Sequence, residues 1–216
     1  METANTKKKK SFYPIIFISV VFLIALYFVL AHTTDYFVFT EASYGSYFWP
    51  RVNWVFPHVV CGVVALLIGP FQFSERLRNT NLTVHRRMGY VYLTMVLIGG
   101  IAGGVLAMTS QVNLTYKMGL FGLAIAWLLT SGMALFFILK RKTEQHKEWM
   151  IRSYVVTFAF VIFRLFSDLL KHYEVTENAD RLALMSWACW AIPLLFIEPI
   201  LQFRNTFKKK RRSKRK

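Results

Sequence analysis

The stretch Gln145–His172, QHKEWMIRSYVVTFAFVIFRLFSDLLKH, decides the fold because it joins a basic, histidine-bearing turn to an apolar run long enough to cross a membrane. Arg164 and Asp168 lie inside that run, where a charge is costly unless it meets a partner or water. On a helix, Arg164, Asp168 and His172 follow each other at steps of four residues and share one stripe, so we expect Arg164 and Asp168 to neutralise each other. Charged groups at this depth are typical of a functional site.

The composition favours a bilayer as the solvent of this chain. Its 216 residues are 55% hydrophobic and its mean hydropathy is +0.39, which lies above the range of soluble domains. Apolar runs of about 20 residues or more, the length of a spanning helix, occur at 12–31, 54–73, 88–108, 118–139, 145–172 and 182–203. The sequence therefore predicts an all-α integral membrane protein with six transmembrane helices, in which helices two to five form a four-helix core and helices one and six flank it.

The order of these runs divides the chain into six segments. We expect a basic N-terminal segment at 1–11, an anchor helix at 12–31, an aromatic outer loop at 32–53, the four-helix core at 54–170, an outer loop with the sixth helix at 171–203, and a polybasic tail at 204–216. The anchor is interpreted as uncleaved because its apolar run is longer than that of a signal peptide. The aromatic residues of 32–53 favour the headgroup level of a membrane.

The net charge of +16 is explained by orientation in the membrane. Of 27 Lys and Arg residues, 22 fall in segments on the side of the two termini, four fall on the other side, and Arg164 lies between. This bias predicts that both termini are cytoplasmic in the cell membrane, with anionic lipid headgroups and not nucleic acid as partners. Cys61 and Cys189 lie inside apolar runs, and no His or Cys spacing predicts a metal site.

The histidines sort to two sides of the predicted bundle. His85 and His146 begin helices at the cytoplasmic side, while His32, His58 and His172 lie at the outer side. A b-type haem takes two axial imidazoles from different helices. The pattern therefore predicts a transmembrane electron-transfer protein with haem b, in which His58 and His172 form the outer ligand pair and His85 and His146 form the inner pair.

Small residues below two of these histidines allow two interpretations. One stripe runs from His58 through Gly62, Ala65 and Gly69, and another runs from His85 through Gly89, Tyr92, Val96, Gly99 and Gly103. Such stripes allow close packing of helices, or they leave room for a flat cofactor. In the haem hypothesis Arg164, held by Asp168, contacts a propionate or a quinone, and the electron donor is a separate molecule.

A cluster of basic residues supports a second hypothesis. Groups at the cytoplasmic ends of helices three and five converge if those helices are neighbours: His85, Arg86, Arg87, His146, Lys147 and Arg152. A cationic pocket at the headgroup level suits a phosphorylated lipid or an anionic solute. This pattern predicts a transporter or a protein that handles anionic lipids, without a prosthetic group.

An ordered set of motifs links the chain to a known family. The set comprises His58 with Gly62, the segment GPFQF at 69–73, Arg78, HRxxGxxY at 85–92, HxxWMxRSY at 146–154, and Arg164. It resembles the bacterial predicted membrane proteins grouped as domain of unknown function 2306. The resemblance covers 54–170 and implies a four-helix core in which the polar positions of the family are His58, His85, His146, Arg152 and Arg164. More distantly, the architecture is similar to the four-helix haem core of cytochrome b561 and ferric reductases, although helix four here has no histidine.

Overall fold

The computed structural model describes residues 13–175 and 177–213. The predicted basic segment at 1–11 and the last three residues of the predicted tail lie outside the described residues. Within the described ranges the chain is 90% helical and has no strand. Six helical segments are long and apolar enough to cross a membrane, so the predicted all-α, six-span class is confirmed.

Nine α-helices follow one another along the described part of the chain. They are α1 (Tyr13–His32), α2 (Glu41–Phe48), α3 (Val52–Gln72), α4 (Glu75–Thr80), α5 (Leu82–Met108), α6 (Leu114–Leu139), α7 (Thr143–Thr157), α8 (Ala159–His172) and α9 (Asn178–Ser213). Four of them begin at a side-chain cap: Thr40 accepts the Ser43 amide, Ser74 the Leu77 amide, Asn81 the Val84 amide and Asn113 the Tyr116 amide. Such caps satisfy backbone amides that have no partner inside the helix.

The aromatic segment between α1 and α3 is more regular than the predicted loop at 32–53. It contains a 3₁₀ turn at Thr34–Phe37, helix α2, a second 3₁₀ turn at Trp49–Arg51 and the start of α3. Thr40 caps α2 by accepting the Ser43 amide, and the Tyr44 hydroxyl donates to the carbonyl oxygen of Tyr36. Local capping and ring packing order this segment, and hydropathy does not report either.

The fifth crossing is broken where the sequence predicts one continuous helix. Helix α7 ends at Thr157 and α8 begins at Ala159, with Phe158 between them. The amides of Val161 and Ile162 both approach the Phe158 carbonyl oxygen, at 3.1 and 3.2 Å. The hydrogen-bonding register therefore changes at this residue, although no proline or glycine marks it.

The core is built from α3, α5, α6 and α7, each packed against the next, with α7 also against α3. Helix α1 packs on α3, and α9 packs on α6, α7 and α8. This arrangement matches the predicted four-helix core with flanking first and last spans. The lipid-facing surface is apolar, as shown by exposed side chains such as Leu97, Ile125 and Leu195.

Candidate functional site

Two cavities lie at opposite ends of the four-helix core. The first, which we name the aromatic cavity, has a volume of about 280 Å³ and lies at the end where α1 finishes and α3 begins. The second, which we name the basic cavity, has a volume of about 920 Å³ and lies at the end formed by α4 and the connection between α6 and α7. All four histidines of the haem hypothesis can be placed relative to these two cavities.

His58 lines the aromatic cavity and is held by α5. Its Nδ1 lies 2.8 Å from the carbonyl oxygen of Gly99. Because a carbonyl oxygen only accepts, Nδ1 carries the hydrogen and the Nε2 lone pair of the neutral ring is left for another partner. A Cβ added at Gly103 would lie 2.8 Å from Cε1 of this imidazole. The glycine stripe of α5 therefore makes room for His58. The sequence pattern predicted instead that this stripe lies below His85.

The predicted outer ligand pair is not brought together. His172 ends α8, is exposed and stacks edge-on against Tyr173, and it does not line the aromatic cavity. His32, at the end of α1, lines that cavity together with His58. The register change at Phe158, between α7 and α8, could not be anticipated from the sequence.

Arg164 and Asp168 form the predicted ion pair. Nε of Arg164 lies 3.5 Å from Oδ2 of Asp168, and the two side chains are 58% and 50% exposed. Arg164 also lines the aromatic cavity. Burial raises the pKa of Tyr36, which lines the same cavity, and the positive charge of Arg164 opposes that shift. Arg164 therefore stands at an exposed edge of the cavity that Tyr36 also lines.

The basic cavity gathers cationic side chains from several elements. The basic residues that line it are Arg78, Arg86, Arg141, Lys147 and Arg204. Two are paired at the surface, Arg78 with Glu75 at 3.5 Å and Lys147 with Glu144 at 2.9 Å. A cavity with this lining attracts anions, because the cations lie at its edge where water screens them only in part.

His85 and His146 both line the basic cavity, as the inner pair of the haem hypothesis requires. His146 donates from Nδ1 to the carbonyl oxygen of Ala134 at 2.8 Å, which leaves its Nε2 lone pair free. Nδ1 of His85 is buried and has no hydrogen-bond partner among the described residues, and the same holds for Nε2 of Gln72 on the cavity wall. Buried polar atoms without partners are uncommon and indicate a missing ligand or water.

Arg87 and Arg152 do not join this cavity, although the sequence analysis grouped them with it. Arg87 is exposed. Arg152 forms a bidentate ion pair with Glu198 on α9, with Nε 2.5 Å from Oε1 and Nη2 2.8 Å from Oε2. The guanidinium of Arg152 also lies over the Trp149 ring. Arg152 therefore joins α7 to α9 and is a structural cation.

A chain of buried hydroxyl groups lies between the two cavities. The Tyr92 hydroxyl lies 2.8 Å from Oγ of Ser153 and 2.7 Å from Oγ1 of Thr157. Ser131 Oγ lies 2.7 Å from Ser153 Oγ, and Nε1 of Trp127 donates to Thr157. This hydroxyl chain joins α5, α6 and α7. The sequence signalled only Tyr92, since the serine and threonine are unremarkable until their helices are packed.

No group of three or more His, Cys, Asp or Glu side chains that could hold a metal ion occurs in residues 13–175 and 177–213. A haem iron needs only two axial side chains, so a haem site does not require a group of three.

Residues 55–201 match the model of a family described as a predicted membrane protein, DUF2306. The chain belongs to the DUF2306 family. In this DUF2306 protein the matched residues include His58, His85 and His146, whereas His32 precedes them. No curated protein and no solved structure matches the sequence.

Proposed function

We propose that the protein binds one b-type haem in the basic cavity and transfers electrons within the membrane. The observation that carries the proposal is that His85 and His146, from α5 and α7, line one cavity of about 920 Å³. This volume falls within the ~300–1,000 Å³ of typical ligand pockets. When bound, haem b supplies one-electron chemistry at its iron.

The residues of the basic cavity fit this group in three ways. Histidines that ligate metals usually donate their other ring N–H to a backbone carbonyl or carboxylate, as His146 does to Ala134. His85 has a buried ring nitrogen that still lacks a partner. The basic side chains at the rim, among them Arg86 and Arg204, suit the two carboxylates of a haem.

The experiment is a visible spectrum of the protein purified in detergent from cells supplied with haem. We expect a Soret band that is lost in His85→Leu and in His146→Leu. His172→Leu is the matched control and should keep the band, because His172 is exposed away from both cavities. A wild-type protein without a Soret band would contradict the proposal.

The second candidate is binding of an anionic lipid headgroup or solute in the same cavity, without a prosthetic group. The observation that favours it is that a Gln72 amide nitrogen, which can only donate, faces the cavity without a described partner beside five basic side chains. It is tested by binding to vesicles that contain phosphatidylglycerol. Arg86→Gln should weaken binding more than Arg87→Gln, because only Arg86 lines the cavity; equal effects would contradict this candidate.

We also propose that the basic end faces the cytoplasm of the cell, with both termini on that side. All five basic side chains that line the basic cavity belong to the segments that the positive-inside rule assigns to the cytoplasm. A cysteine placed at Gln111, at the opposite end, should react with a membrane-impermeant maleimide in intact cells. A cysteine at Asn79 should react only after lysis, and the reverse pattern would contradict the orientation.

A further inference from the structure

The aromatic cavity is a small apolar space bounded by flat rings. The His58 and Phe160 rings lie 5.1 Å apart and the Trp127 and Phe160 rings 5.7 Å apart, both edge to face. Gly62 on α3 also lines the cavity, and a Cβ there would meet no atom within 4 Å. At about 280 Å³ the cavity lies just below the ~300–1,000 Å³ of common ligand pockets, so it suits a single-ring headgroup better than a porphyrin.

The lining of this cavity is mostly apolar, and its polar groups differ in kind. Besides His58, Thr157 and Arg164, the polar residues that line it are His32, Thr33, Tyr36, Tyr47, Arg51, Ser110 and Tyr116. Of these, Thr33, Tyr47, Arg51 and Ser110 are hydrogen-bonded within the protein. Nε2 of His58 is an acceptor, because Nδ1 already donates to Gly99. Arg164 is a donor at the exposed edge. Thr157 lines the wall, but its hydroxyl donates to the Ser153 carbonyl oxygen and accepts from Trp127, so it belongs to the hydroxyl chain. The lining therefore matches a flat apolar ring that carries a hydroxyl group on one edge and further oxygen atoms on another.

We infer that the aromatic cavity binds the headgroup of a quinol, with one quinol hydroxyl donating to Nε2 of His58 and ring oxygens accepting from Arg164. Such carriers dissolve in the bilayer, and a chain buried in a membrane meets them without a soluble domain. The inference deepens the proposed redox function. Oxidation of the ligand rests on that function, whereas its binding does not.

The first experiment measures binding of ubiquinol-1, kept reduced under argon, to the purified protein by equilibrium dialysis in detergent. We expect saturable binding to the wild type and at least tenfold weaker binding to His58→Phe, which keeps a ring but removes Nε2. His172→Phe is the matched control and should bind as the wild type does, since His172 lies outside the cavity. Absence of saturable binding, or equal binding by His58→Phe, would overturn the inference.

A second variant guards against a folding defect in His58→Phe. Gly62→Leu places a side chain in open space inside the cavity and leaves His58 unchanged, so it should also abolish binding. Gly132→Leu is its control, because Gly132 is exposed and a Cβ there also meets no atom within 4 Å. Full binding by Gly62→Leu would place the ligand elsewhere and overturn the inference.

The Soret band separates this inference from the proposed function. We expect His58→Phe to keep the band, because the haem is assigned to His85 and His146. Loss of the band in His58→Phe would make the aromatic cavity a haem site and overturn the inference. A protein without any Soret band that still binds ubiquinol-1 through His58 would end the haem proposal and support the quinol site.

Discussion

The ring of Tyr154 on α7 packs directly against Gly69 on α3, and its hydroxyl donates to the carbonyl oxygen of Leu66 at 3.0 Å. A methyl group on Gly69 would overlap this ring. Gly69 is fully buried and is followed by Pro70 inside the helix. The close approach of α3 and α7, which closes the ring of four core helices, therefore depends on the absence of a side chain at one position.

Replacing Gly69 with alanine should destabilise the fold. Overpacking a filled core costs about 1–3 kcal/mol, and the Tyr154 ring cannot move without losing its bond to Leu66. The measurement is the thermal unfolding midpoint in detergent. Gly132→Ala, at a position where a Cβ meets no atom within 4 Å, should leave the midpoint unchanged. Equal midpoints for Gly69→Ala and the wild type would show that α3 and α7 do not pack as described.

Replacing Tyr92 with phenylalanine should weaken the packing of α5 on α7. The change removes the hydroxyl that bonds both Ser153 and Thr157. Interhelical hydrogen bonds in membranes average about 0.6 kcal/mol each, so we expect a loss of about 1 kcal/mol. Denaturation by sodium dodecyl sulfate, followed by circular dichroism, gives the free energy of unfolding. Tyr90→Phe, at an exposed position on the same helix, is the control; an equal loss in both variants would refute a specific role of the hydroxyl chain.

Replacing Glu198 with glutamine should loosen α9. The Arg152 side chain is 14% exposed and would keep its charge without its carboxylate partner. Glu198 itself is 40% exposed, so water softens the penalty to about 1–2 kcal/mol. Arg152→Lys, which keeps Glu198, should also be less stable than the wild type, because an ammonium cannot form two parallel bonds to one carboxylate. Glu75→Gln is the control, since Glu75 is 80% exposed and pairs with its near neighbour Arg78. An unfolding midpoint equal to that of the control would contradict the account.

The sequence predicted the spans well because hydropathy and length act locally. Five spans differ from their predicted bounds mainly at the ends, as when capping by Asn81 starts α5 at Leu82 and not at Met88. The break at Phe158 was missed because neither a proline nor a glycine marks it. The family resemblance implied a four-helix core. The short connections between α3, α5, α6 and α7 favour the packing of these helices side by side.

The candidate site was predicted in part. His85 and His146 do share a cavity, because both begin helices at the same end of the bundle. The partner of His58 could not be chosen by topology alone, since His32 and His172 end different helices at one side. The Arg152–Glu198 pair joins residues that lie 46 positions apart, and only the packing of α9 on α7 decides it.

The measurement that tests the central claim most directly is the molar ratio of haem to protein in the purified chain, from the pyridine haemochrome spectrum and amino-acid analysis. The account predicts one haem b per chain, held by His85 and His146, and therefore none in His146→Leu. A ratio of zero in wild-type protein made with abundant haem would contradict it, and so would a ratio of two.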